Sequence, residues 1–210
     1  MPRVTFISDT HNYQRNIKIP DSDILIHAGD ATSMGNIPEV SAFLNWLSQQ
    51  SAKHKIYVSG NHDFLFERDP SLSRMLLSEY PSVTYLKDSL IDIMGLKIFG
   101  SPWTPRFYDW AFNADEAKLT EIWSAIPSNI DILITHGPPY QILDKTEEED
   151  NVGCKILLHE IQSRVKPRYH VFGHIHEGYG VKVIGETTFI NASSCNIRYR
   201  PVNPPITLDI

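Results

Sequence analysis

Short apolar runs punctuate the chain, and each one stops at polar residues. Val4-Thr5-Phe6-Ile7 leads to Asp9 and His11, Ile24-Leu25-Ile26 to Asp30, and Ile56-Tyr57-Val58 to Asn61, His62 and Asp63. Ile132-Leu133-Ile134 leads to His136, and His170-Val171-Phe172 to His174 and His176. Short apolar runs bounded by turns read as buried strands. Five of them bring carboxylate, imidazole and amide groups to one edge of a sheet. In open α/β sheets that edge is where ligands bind.

Between these runs the apolar period changes. Val40, Phe43, Leu44 and Leu47 recur at helical spacing, with Pro38 near the start, and predict a helix from Pro38 to Gln50. A shorter helix is expected over Leu72–Tyr80 and another over Asp115–Ala125. Val152, Ile156, Leu157 and Ile161 predict a helix from Asn151 to Val165. Further strands are expected at Val83–Leu86, Leu90–Met94, Leu96–Phe99, Ile130–Ile134, Tyr169–Phe172, Val181–Ile184 and Thr188–Asn191. Gly95 marks a hairpin between Met94 and Leu96. With no linker, repeat or low-complexity tract, the expectation is one domain over residues 1–210, built of two sheets covered by helices.

Composition narrows the function. A chain of 210 residues with 41% hydrophobic content can bury an ordinary globular core. A net charge of −6 excludes non-specific grip on a nucleic-acid backbone. A small anionic substrate remains compatible if metal ions supply local positive charge. Cys154 and Cys195 form no paired motif and are read as reduced, partly buried thiols. No basic leader and no apolar run long enough for a membrane span is seen, so a cytoplasmic enzyme is expected. The acidic run Glu147-Glu148-Glu149-Asp150 reads as a solvated loop.

The polar residues at the strand ends mix oxygen and nitrogen donors without sulfur. Such a set suits Mn, Fe, Zn, Co or Ni better than Ca or Mg. Asp9-Thr10-His11 and His174-Ile175-His176 are i, i+2 pairs that project to one side of an extended segment. Each piece alone is common by accident, and the joint occurrence of all of them in order makes the metal reading strong. His27, His54, His159 and His170 are read as ordinary hydrogen-bonded histidines.

Asp9-x-His11, Gly29-Asp30, Gly60-Asn61-His62-Asp63, His136 and Gly173-His174-x-His176 resemble the motif set of the calcineurin-like metallophosphoesterases. Ser101-Pro102-Trp103-Thr104-Pro105, Trp110-Ala111-Phe112-Asn113, Asn151-Val152-Gly153-Cys154 and Asn203-Pro204-Pro205-Ile206 resemble the metallophosphoesterase-domain-containing subfamily. The resemblance implies an α/β fold, a four-layer α/β/β/α sandwich with two mixed sheets flanked by helices. It implies two divalent ions, with Mn or Fe favoured. Asp9, His11 and His176 would hold one ion, Asn61, His136 and His174 the other, and Asp30 would bridge them. His62 would face the substrate as a general acid, and Asp63 would orient His62 or its turn. Some subfamily members carry Gly at the first His of the GHxH motif and bind the second metal poorly; this chain keeps His174.

The implied activity is hydrolysis of small phosphodiesters such as cyclic nucleotides by a hydroxide held between the metals. The alternatives are a phosphomonoesterase or nucleotidase on the same scaffold, or a non-catalytic nucleotide-binding scaffold. Asp30 is followed by Ala31-Thr32-Ser33, and Asp63 by Phe64 rather than Arg, which departs from protein phosphatases. The aromatics of the stretch Trp103–Asn113 read either as core or cap packing or as a candidate substrate wall, with Trp103, Arg106 and Asn113 as contacts. The expected partner is a small phosphodiester or nucleotide, with no membrane, on a monomer or homodimer.

Overall fold

Side chains alternate across a strand, so a strand with apolar residues at every position must be covered on both faces. The computed structural model, which describes residues 1–210, resolves that demand with two stacked sheets. The first contains β1 (Arg3–Ile7), β2 (Ile24–Ala28), β3 (His54–Val58), β4 (Val83–Tyr85) and β13 (Ile206–Asp209), in the order β13-β1-β2-β3-β4. β1 to β4 run parallel, and β13 lies antiparallel on β1. The second contains β5 (Ser89–Ile93), β6 (Leu96–Ser101), β9 (Ile132–Thr135), β10 (Tyr169–Phe172), β11 (Gly180–Ile184) and β12 (Thr187–Asn191), in the order β11-β12-β10-β9-β6-β5. Its four central strands are parallel and its two edges antiparallel.

One set of alternating residues fills the space between the sheets: Phe6, Ile26 and Ile56 from the first, and Ile98, Ile134 and Val171 from the second. The opposite set on the first sheet, including Leu25 and Tyr57, packs under Phe43, Leu44 and Leu47 of α1 (Ile37–Ser48) and Leu76 of α3 (Pro70–Ser78). On the second sheet, Leu133, Phe172 and Phe189 pack against Leu119 and Trp123 of α4 (Glu116–Ser124) and Leu157 of α5 (Lys155–Glu160). This is the four-layer α/β/β/α sandwich expected. The helices start where the sequence supplies caps: Asn36, Asp69 and Asp115 accept from the amides of Glu39, Leu72 and Lys118.

The helix expected from Asn151 begins only at Lys155. Asn151 is taken up in a bridge to Lys145, and Gly153 N donates to Asp144, so the chain stays extended until Cys154. The stretch Ile161–Val165 then widens into a π turn. Four short elements add to the expected set: α2 (Phe64–Arg68), β13, and the two-stranded pair β7 (Thr104–Pro105) and β8 (Asn113–Ala114). Both cysteine thiols are free and buried. No helix is long and apolar enough to cross a membrane.

β1, β2, β3, β9 and β10 point their C-terminal ends the same way within each sheet. Beyond those ends the sheets are stitched together. Ser8 N donates to Ala192 O, and Ser194 N donates to Ser8 O. The loops after all five strands therefore crowd one rim.

Candidate metal centre

The rim gathers the expected residues into three overlapping donor groups: Asp9, His11 and His176; His11, Asp30 and His62; and Asp30, His136 and His174. Within each, the ligand atoms lie within 4.8 Å of one another. Asp30 is central. Its Oδ2 lies 3.3 Å from His136 Nε2, 3.8 Å from His11 Nε2 and 3.9 Å from His62 Nε2. Asn61 Oδ1 lies 2.9 Å from His136 Nε2, and His176 Nε2 is 3.4 Å from Asp9 Oδ1.

Glycines make this crowding possible. A Cβ on Gly60 would run into the Asp30 carboxylate, and one on Gly173 would run into Asp9 and Ser8. The backbone is also bent to aim the donors. Asp9, His11, Asp30 and His174 all hold left-handed φ angles, from +41° to +69°. Non-glycine residues rarely adopt this region, and it persists where the surroundings over-determine it.

The backbone carbonyls settle which ring nitrogen is free. His11 Nδ1 faces Thr32 O at 3.3 Å, His136 Nδ1 faces Ala28 O at 3.0 Å, and His176 Nδ1 faces Asn196 O at 3.0 Å. A carbonyl only accepts, so each Nδ1 carries the proton and each Nε2 turns a lone pair or a second N–H inward. His11 Nε2 and His176 Nε2 then sit 3.3 Å apart. Burial lowers the pKa of His11 to about 4 against the opposing pull of Asp30 and Asp9, so its Nε2 is a bare lone pair. Buried oxygen and nitrogen lone pairs converging on shared points fit divalent cations.

Carboxylates and rings here pull on one another's protons. Burial alone would raise Asp9 and Asp30, but His176 at Asp9 and His136 and His62 at Asp30 outweigh it and hold both carboxyls well below their usual range. Burial pulls His136 down, yet Asp30 and Asp9 raise it to about 9. His174 is lowered to about 4, by burial and then by the neighbouring His136.

His62 and Asp63 part company. His62 Nδ1 donates to Ser33 O at 2.7 Å, its ring packs 4.2 Å from Trp110, and it lines the open cavity. The Asp63 carboxylate is consumed elsewhere, accepting from the amides of Gly60, Ala31 and Thr32 and from the Thr32 hydroxyl. It ties the turn after β3 to the turn after β2, and Ser33 O, not Asp63, orients the His62 ring. His27 and His170 are hydrogen-bonded to Thr10 and Thr135 inside the fold.

A cavity of about 510 Å³ opens on the cluster. Of the proposed wall, Arg106, Phe107 and Trp110 line it. Trp103 and Asn113 do not. Trp103 Nε1 donates to Asp88, and Asn113 Nδ2 donates to the carbonyls of Phe107 and Tyr108, supporting the wall from behind. Thr146, Val152, Glu177 and Tyr199 also line it, and nothing in the sequence marks them as substrate contacts.

Comparison with known proteins agrees with this geometry. The family model described as calcineurin-like phosphoesterase matches residues 2–178. Metallophosphoesterase domain-containing protein 1 of Homo sapiens is 44% identical across 99% of this chain and 71% of its own length, as is its Mus musculus counterpart. Among solved structures, the Thermus thermophilus protein TT1561 superposes with a TM-score of 0.64 at 14% identity, covering 99% of this chain and 98% of that one. A structure titled as that of a novel archaeal phosphodiesterase gives 0.51 at 18% identity, covering 99% and 93%. These two likenesses are of fold.

Proposed function

The chain belongs to the calcineurin-like phosphoesterase family of dinuclear metal enzymes, and from that premise we propose that it is a phosphodiesterase of small esters, cyclic nucleotides among them. The observation that carries the reading is the convergence of Asp9, His11, Asp30, His136, His174 and His176 beside an open, aromatic-walled cavity. In this reading Asp9, His11 and His176 would hold one divalent ion, Asn61, His136 and His174 would hold the second, and Asp30 would serve both, with Mn or Fe favoured. Such ions would supply positive charge to a bound phosphate ester and lower the pKa of a bound water.

The protein's own residues do the rest. Arg106 supplies a positive charge at the cavity wall, and Phe107 and Trp110 offer rings to a base or aryl group. Asn61 offers its amide toward an equatorial phosphate oxygen. His62, with Nδ1 pinned on Ser33 O, presents Nε2 and delivers a proton to the leaving oxygen. Asp63 is a positioning residue that holds both ligand-bearing turns in register.

The test compares bis-p-nitrophenyl phosphate with p-nitrophenyl phosphate on metal-loaded protein. Faster hydrolysis of the diester supports the reading, and exclusive monoester hydrolysis would replace it with a monoesterase. His62→Ala is expected to lower kcat by about 10²–10⁴-fold with metal content unchanged.

A further inference from the structure

Two openings reach the centre. Besides the large cavity, a pocket of about 300 Å³ is lined by His11, Tyr13, Ser33, His62 and Tyr199. His62 and Tyr199 are the residues common to both. Tyr199 therefore stands on the boundary, opposite the group that serves the leaving oxygen.

Its placement is built. Tyr199 holds φ +54°, a left-handed conformation that bulky residues seldom keep without support. Asn196 supplies that support. Its Oδ1 accepts from Arg198 N and Arg200 N, its carbonyl accepts from Tyr199 N, and its amide donates to Arg200 O. The same Asn196 carbonyl accepts from His176 Nδ1. One turn thus sets both a ligand imidazole and the Tyr199 ring. That ring stands edge-on 4.8 Å from His11 and 5.5 Å from His176, and the residue stays 46% exposed, open to whatever enters either space.

We propose that Tyr199 is a specificity-determining residue that divides the approach to the centre into two arms, so that the enzyme favours acyclic phosphodiesters with two separate organic groups over the cyclic ones it also turns over. The larger, aromatic or nucleoside group occupies the cavity beside Phe107 and Trp110. The smaller one occupies the pocket between Tyr13, Ser33 and Tyr199. Water oxygen bonds to phosphorus, the P–O bond to the small arm breaks, and the departing oxygen takes the His62 proton. One water is consumed, and the products are the monoester of the large arm and the alcohol of the small one. A cyclic nucleotide carries both ester oxygens on one ribose and cannot reach into both arms. The proposal rests on the diesterase reading and sharpens its substrate class.

The experiment measures kcat/KM for bis-p-nitrophenyl phosphate and for 2′,3′-cyclic AMP with metal-loaded wild type, Tyr199→Phe and Tyr199→Ala. Taking the ratio within each protein and comparing it with wild type cancels the intrinsic reactivity of the two esters. Tyr199→Ala should lower the acyclic-to-cyclic ratio at least about tenfold, mainly through KM for the acyclic ester, at unchanged metal content, while Tyr199→Phe keeps it within about threefold. An unchanged ratio in Tyr199→Ala overturns the proposal. Equal loss on both esters together with lost metal also overturns it, showing only structural support of His176. A wild type that binds two ions and hydrolyses no phosphoester overturns the diesterase reading itself, and the proposal with it.

Discussion

At the residue scale, the centre is costly to build. Each left-handed residue among Asp9, His11, Asp30 and His174 costs on the order of 1–3 kcal/mol. Packing and the saturated hydrogen bonds of Asp9 and Asp63 must offset that cost. The Asp9 carboxylate accepts from Ser8, Ser193 and the amide of His174. Gly173→Ala drives a methyl group into this knot, so loss of bound metal is expected, read by elemental analysis of the folded variant. Retained metal would show that the knot yields. A second expectation concerns His170, which burial lowers from 6.5 to about 3. As pH falls through 6.5 the unfolded chain takes up a proton and the folded one does not. Stability from this group is therefore full above about 6.5 and lost toward 3, by up to ~1.4 kcal/mol per pH unit. His170→Gln should flatten the dependence of unfolding free energy on pH between 6.5 and 4.5, and an identical slope would contradict this. The expected donors were legible because each follows an apolar run. Tyr199 was not, because a single aromatic in a turn becomes informative only when Asn196 and the distant His11 and His176 surround it.

At the element scale, the expected strands and most helices fall close to their places, and the departures are few. α1 has both an apolar stripe and the Asn36 cap, and it falls close to its expected bounds. β13 hides behind Pro204-Pro205, with only four residues and one pairing partner. The start of α5 was displaced because Val152 fits the helical period, yet Asp144 captures Gly153 N in an extended loop. Local period carries no information about such a long-range competitor. α3 depends on the Asp69 carboxylate, which accepts from Leu72 N at the junction with α2. Asp69→Ala should cost about 1 kcal/mol, a fall in melting temperature of about 2–4 °C. No change on thermal unfolding would mean that tertiary packing alone sets this helix.

At the scale of the whole molecule, two parallel ladders from different sheets must end at the same rim for the centre to exist. Asp9, Asp30 and Asn61 come from the first sheet and His136, His174 and His176 from the second. The Ser8 and Ser193 contact between β1 and β12 holds those rims together. The sequence order of the motifs made the α/β class legible. Which residues face one another across the two sheets became clear only from the packed fold. In the proposed centre, both halves would contribute donors to a pair of ions sharing Asp30. It is tested most directly by metal stoichiometry after chelation and reloading, measured on wild type and Asp30→Ala alongside diester hydrolysis. Two divalent ions per wild-type chain are expected, with activity that disappears on chelation and returns on reloading, and with loss of both ions and of activity in Asp30→Ala. Asp30→Ala that keeps two ions and wild-type turnover would contradict it.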